Sequence, residues 1–289
     1  MNKHLLTCIT VLVVSAAFAG AEVLVYEPFN YDETSSWDVE AGVTATGKGL
    51  AGNWSLFPRS GSNGNPAIVA GSMSYPDFLA TEGNRLSAHP GDHGWSQPGV
   101  YLDTADASFA PYLIESGDDA GKVGKGGTTL WASFLWHGCG DLDNGVAQLK
   151  MGMSFGHGWS EDYYGIAYQD ATPMDATTDG EHLFVVKYSF SDTDGADLVE
   201  LWIDPDLSQT AEPDSGHTYC ASATGNVAFD SIAVEWNNWH NGANSDGDDT
   251  YVDEIRLGES YMDVTGVPEP ATMALLAIGG LGVLVRRRR

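Results

Sequence analysis

Thr128-Thr129-Leu130-Trp131-Ala132-Ser133-Phe134-Leu135-Trp136 decides the fold class. Leu130, Ala132, Phe134 and Trp136 fall on every second residue, the spacing that puts side chains on one face of an extended strand. Residues 147–155 repeat the pattern, with Ala147, Leu149, Met151, Met153 and Phe155 in phase. Further out, shorter bursts of the same alternation fill residues 22–29, 163–168, 181–190, 198–203, 226–236 and 251–257. Gly, Asp, Asn, Ser or Pro clusters bound each one. No amphipathic helix of ordinary length interrupts them. Strands without helical crossovers imply antiparallel sheets, and two packed sheets suit the roughly 240 residues between 22 and 265. The chain reads as all-β. Residues 59–119 fit the alternation least well and read as a long surface excursion.

With 289 residues, 43% apolar and 11% aromatic, the chain can bury a substantial core. Forty Asp and Glu against thirteen Lys and Arg give a net charge of −27. Setting aside Lys3 and the terminal arginines leaves eight basic residues against forty acidic ones, a balance of −32. So acidic a surface repels phosphate backbones and anionic lipid headgroups, which excludes nucleic acid as a partner. Thirty-five glycines speak for many turns rather than a helical bundle.

The two ends carry addresses. Residues 1–21 have the three parts of a secretory signal: Lys3, an apolar stretch through Val14, and Ala17-Phe18-Ala19 or Ala19-Gly20-Ala21 as a small-x-small site for signal peptidase. At the other end, Val267-Pro268-Glu269-Pro270 precedes a mainly apolar run over residues 271–285, then Arg286, Arg287, Arg288 and Arg289. The prolines mark a boundary that no strand or helix crosses. As a helix the run spans roughly 22 Å, short of the ~30 Å hydrocarbon core, a gap that arginine snorkelling and local thinning close. The arginines hold that end on the cytoplasmic side of the inner membrane while the signal exports everything before it.

Pro268-Glu269-Pro270, the apolar run and the terminal arginines resemble the PEP-CTERM sorting signal of Gram-negative bacteria. The resemblance covers residues 267–289. It implies recognition by an exosortase, a membrane transpeptidase, removal of the helix, and delivery to the cell surface or an exopolysaccharide (biofilm) matrix. The body carries a second resemblance. Leu24-Val25-Tyr26-Glu27-Pro28-Phe29-Asn30-Tyr31, Val185-Val186-Lys187-Tyr188, Leu201-Trp202-Ile203-Asp204-Pro205 and Val252-Asp253-Glu254-Ile255-Arg256-Leu257-Gly258 occur in an order similar to concanavalin-A-like (laminin-G-like) jelly rolls. That implies a two-sheet antiparallel jelly-roll sandwich over residues 22–265, followed by the sorting segment 266–289. It also implies that the first and last strands lie side by side.

Strand pairing of that kind makes neighbours of Glu27 and Asp253. Related jelly-roll carbohydrate modules hold a structural calcium at such a junction, and hard carboxylate oxygens suit Ca²⁺ better than zinc. Glu27 and Asp253 are the candidate ligands. The Asn244, Asp246, Asp248 and Asp249 cluster fails the EF-hand pattern, with Asp249 where Gly belongs and Ile255 where Glu belongs, and reads as a solvated turn. For an extracellular polysaccharide, Trp236, Asn238 and Trp239 combine aromatic stacking faces with an amide for hydroxyls, whereas Trp131, Trp136 and Trp202 read as core. Catalysis is not expected. Glu200 and Asp204 lack the middle acid that retaining glucanases of this fold place between two others, and His137 and Cys139 lack an orienting partner. Cys8 leaves with the signal, so Cys139 and Cys220 either form a bridge in an oxidising compartment or remain free thiols. The leading expectation is an exported structural or adhesive component of the surface layer. A lectin-like glycan-binding module is the second reading, and a diverged glycoside hydrolase the third.

Overall fold

Period-two alternation becomes strand after strand in the computed structural model, which describes residues 22–32, 43–56, 66–88, 95–96, 98–138, 145–153, 163–165, 180–208, 220–238 and 250–266. The N-terminal part supplies β1 (Val23–Glu27), β2 (Val43–Thr44), β3 (Leu50–Leu56), β4 (Ala67–Val69), β5 (Arg85–Ala88), β6 (Trp95–Ser96) and β7 (Pro98–Leu102). After a 3-10 turn at Ala107–Tyr112 come β8 (Thr129–Gly138), β9 (Gly145–Met153), β10 (Tyr163–Gly165), β11 (Gly180–Ser189) and β12 (Asp197–Ile203). The last strands are β13 (Cys220–Gly225), β14 (Ser231–Asn238) and β15 (Thr250–Gly258), followed by helix α1 (Tyr261–Thr265).

These strands form two antiparallel sheets. The first runs β13-β12-β11-β8-β15-β5-β4, with β1 also paired to β15, and the second runs β10-β9-β14-β7-β3-β2, with β6 on β14. Leu130, Ala132, Phe134 and Trp136 of β8 face Trp54, Val100, Ile232 and Val234 of the second sheet in one buried cluster, so the main core lies between the sheets. The other parity of β8 is buried too: Trp131 and Leu135 join Leu183, Val185 and Trp202 in a second cluster on the outer face of the first sheet. Each large apolar side chain so covered contributes about 1.5–3 kcal/mol. β1 and β15 pair from Val23↔Gly258 to Glu27↔Ile255, so the first and last strands do lie side by side.

One expectation is overturned. Residues 59–119 are not a surface excursion: β4 and β5 extend the first sheet, and β7 sits inside the second between β14 and β3. These strands are two to five residues long, too brief for alternation to stand out, and their state is set by their neighbours. Among the described residues no helix is long and apolar enough to cross a membrane. The signal at 1–21, the sorting motif Pro268, Glu269 and Pro270, the expected membrane helix and Arg286 to Arg289 lie outside the described residues.

Candidate functional site

The junction of the first and last strands is where the sequence concentrates buried carboxylates, and a β-bulge decides what they do. In the β15–β8 ladder Asp253 pairs with Leu135 but Arg256 with Ser133, so β15 holds one residue more than its partner. Glu254 takes up the slack at φ 55°, a left-handed conformation uncommon for a side chain of this size. Its N–H donates to Asp253 Oδ1 at 2.8 Å. The bulge resets the parity: Val252 and Ile255 belong to the inter-sheet core, whereas Asp253 stands opposite Leu135 of the outer cluster.

Glu27 pairs with Ile255 and faces the inter-sheet core. Its Oε1 accepts from Phe29 N at 2.7 Å, and its Oε2 from Tyr31 Oη at 2.5 Å and Trp54 Nε1 at 2.8 Å. Burial raises its pKa against the pull of these three donors. Burial and the Glu27 charge raise that of Tyr31. The carboxylate ties β1, the turn at Phe29 (φ 50°) and β3 together from inside.

On the outer face, residues 72–82 form a strap across the first sheet. Asp253 Oδ2 accepts from Ser72 Oγ at 2.6 Å and Met73 N at 2.8 Å. Burial pushes the Asp253 carboxyl up to about 8, although its donors pull the other way. Glu181 Oε2 accepts from Ser74 N at 2.9 Å. Glu254, wholly buried, accepts from Glu82 N at 2.8 Å and Tyr26 Oη at 3.2 Å, and pairs with Arg256 Nη2 at 2.6 Å. The Arg256 guanidinium lies 4.2 Å from the Tyr26 ring centroid. A fourth carboxylate, Asp204, accepts from Leu183 N at 2.9 Å and meets His182 Nδ1 at 2.6 Å. Burial, followed by Asp204, raises the Tyr75 pKa. Beneath the strap, Met73, Trp131, Leu135, Trp202, Tyr261 and Val264 are buried together.

Glu27 and Asp253, the expected calcium ligands, are each held by three protein donors. Glu27 and Asp253 occupy opposite faces of one sheet, and every carboxylate oxygen of both accepts a protein N–H or O–H. In this arrangement the two carboxylates do not converge on one point. No group of three or more His, Cys, Asp or Glu converges as a metal site among the described residues. Trp236 and Asn238 prove to be strand positions, paired with Ala147 and Gly145 of β9. Trp239 and Cys139 lie outside the described residues, as do residues 244–249, and Cys220 opens β13 opposite Trp202. The sequence reading missed Ser72, Glu181, Glu254 and Arg256. One signal was present: the tandem Asp253-Glu254 interrupts alternation between Val252 and Ile255, as a bulge does.

Residues 266–289 match the PEP-CTERM protein-sorting motif. No curated protein matches the chain. Among solved structures it is similar to an endo-beta-1,4-glucuronan lyase from the fungus Trichoderma reesei, at 12% identity and a TM-score of 0.39, covering 76% of this chain and 97% of that one. It is also similar to a botulinum neurotoxin type C chain whose cell entry depends on two ganglioside molecules, at 11% identity and a TM-score of 0.33. That match covers 69% of this chain and 44% of the toxin chain. At these scores neither likeness carries an activity to this protein.

Proposed function

We propose that the chain is an exported β-sandwich, freed from the inner membrane by an exosortase and delivered to the cell surface or exopolysaccharide matrix as a structural or adhesive component. The observation that carries the reading is the sorting motif itself, together with its position. The matched segment begins at Gly266, the residue at which α1 closes. Body and address therefore abut. The buried carboxylates support a passive body, because their oxygens are engaged in holding the strap and chain ends.

Processing requires Pro268 and Glu269 in extended backbone just outside the bilayer. Immunoblots of Glu269→Ala in a host with an exosortase are expected to show an uncleaved, membrane-held species, and normal release would defeat the sorting reading. On a glycan array the released body is expected to show no selective ligand. A selective hit would replace the structural role with a lectin-like one, and liberation of reducing ends from a polysaccharide panel would make it a hydrolase.

A further inference from the structure

The point at which the sorting segment leaves the body is not a loose end. α1 is closed by a capping box between Ser260 and Asp263, and its last turn is anchored where Ser133 Oγ donates to Val264 O at 2.6 Å. Gly266 ends it at φ 80° with its N–H on Met262 O. A Cβ at Gly266 would lie 2.6 Å from Leu79 Cδ2, so the exit residue is packed directly on the strap. From Gly266 to Ala271, where the apolar run starts, the chain advances five residues, roughly 18 Å when fully extended. The headgroup layer occupies about 5–8 Å of that distance. The exit residue can therefore stand at most about 10–13 Å above the headgroups, with the strap packed beside it.

We propose that, before cleavage, the body stands on the bilayer with one face, the strap and α1, and that the short tether, not charge attraction, keeps it there. The proposal rests on the membrane-held reading of the tail. Pro76 is exposed there, and Phe78, Leu79 and Met262 are half-buried, an apolar rim beside the exit. Asp77 and Glu82 are exposed on the same strap, and the whole chain is strongly acidic, so the free body has no electrostatic attraction to a lipid surface. A five-residue tether gives a high effective concentration of lipid at this rim, so that a weak apolar contact suffices. Removal of the tail takes away both the tether and the four arginines, and the acidic body departs from the surface. The charge of the body makes the cut a release.

The test is hydroxyl-radical footprinting of the exported chain, residues 22–289, reconstituted in phosphatidylcholine vesicles. Modification of Pro76, Phe78, Leu79 and Met262 is expected to fall several-fold against the same chain in detergent, while Tyr101 of the second sheet keeps its reactivity. Inserting a Gly/Ser linker of about twenty residues after Gly266, with a root-mean-square span of about 25 Å, is expected to restore modification of the strap. Equal modification of both sheets, protection centred on Tyr101, protection that survives the linker, or protection seen only with exosortase present would each overturn the proposal. The last would make the protease, not the lipid, the partner. Failure of the chain to float with the vesicles would defeat the membrane-held reading as well, whereas flotation with a uniform footprint defeats the orientation alone.

Discussion

Glu27 and Asp253 sit on adjoining strands and do the same job on opposite faces of one sheet. Each clamps a backbone N–H of a bulky residue at positive φ, Phe29 for Glu27 and Glu254 for Asp253. Each also accepts two further donors from elsewhere in the chain. The difference lies in what they hold. Glu27 pins two strands and a turn inside the main core, whereas Asp253 pins a strap that covers a satellite core and leads toward the chain's exit. A carboxylate among side chains of the inter-sheet core is part of the fold. One beneath a strap is part of an attachment that can loosen while the sandwich persists.

The largest effect is expected beside the outer clamp, at the buried ion pair. Glu254→Ala leaves the Arg256 charge uncompensated and strips acceptors from Tyr26 Oη and Glu82 N, a loss of about 3–5 kcal/mol. Urea denaturation would check it, and a loss below about 1 kcal/mol would mean that Arg256 finds water instead. Glu27→Gln is next, at about 2–4 kcal/mol. An amide offers one acceptor oxygen to three donors on two sides, leaving at least one buried donor unpaired. This loss is expected in the global transition, because the core itself is affected. Loss confined to local opening of residues 72–82 would erase the distinction between the clamps.

Asp253 should make stability fall with pH. Its unfolded carboxyl titrates near about 3.9, whereas the folded one holds its proton up to about 8. Between these values the native state binds more protons than the unfolded one, so this group's contribution is full below about pH 4 and is lost as pH rises through about 8, at no more than about 1.4 kcal/mol per unit. Asp253→Asn is expected to flatten that decline, and paired melts at pH 5 and 8 would reveal it. An unchanged slope in the variant would place the titration elsewhere. The smallest effect belongs to the exposed rim of the strap: Glu181→Ala removes the acceptor for Ser74 N at a cost of about 0.5 kcal/mol or less. A larger loss would mean that the strap depends on its edge as much as on Asp253.

The strands on which these clamps sit were legible where alternation persisted. β8 carries four in-phase apolar residues and emerges as the strand expected, at the middle of the first sheet. β4 to β7 were not legible. Each shows at most two or three alternations among glycines and prolines, and their pairing with β15, β14 and β3 comes from distant chain. The candidate site divides in the same way. Glu27 and Asp253 were recognisable as acids on paired terminal strands, but Ser72 and Met73, which hold Asp253, lie about 180 residues away.

The sequence by itself determined the class of the body and the address at its end. Both are local signals: the period of a strand is two wherever it lies, and a sorting motif is read as extended chain. Which face each acid occupies was decided by the tertiary structure alone. One inserted residue at Glu254 reverses the parity of β15, and that residue is tolerated only because Arg256, Tyr26 and the strap supply partners for its buried carboxylate. Parity is local, but the place where it breaks is set by contacts from far along the chain.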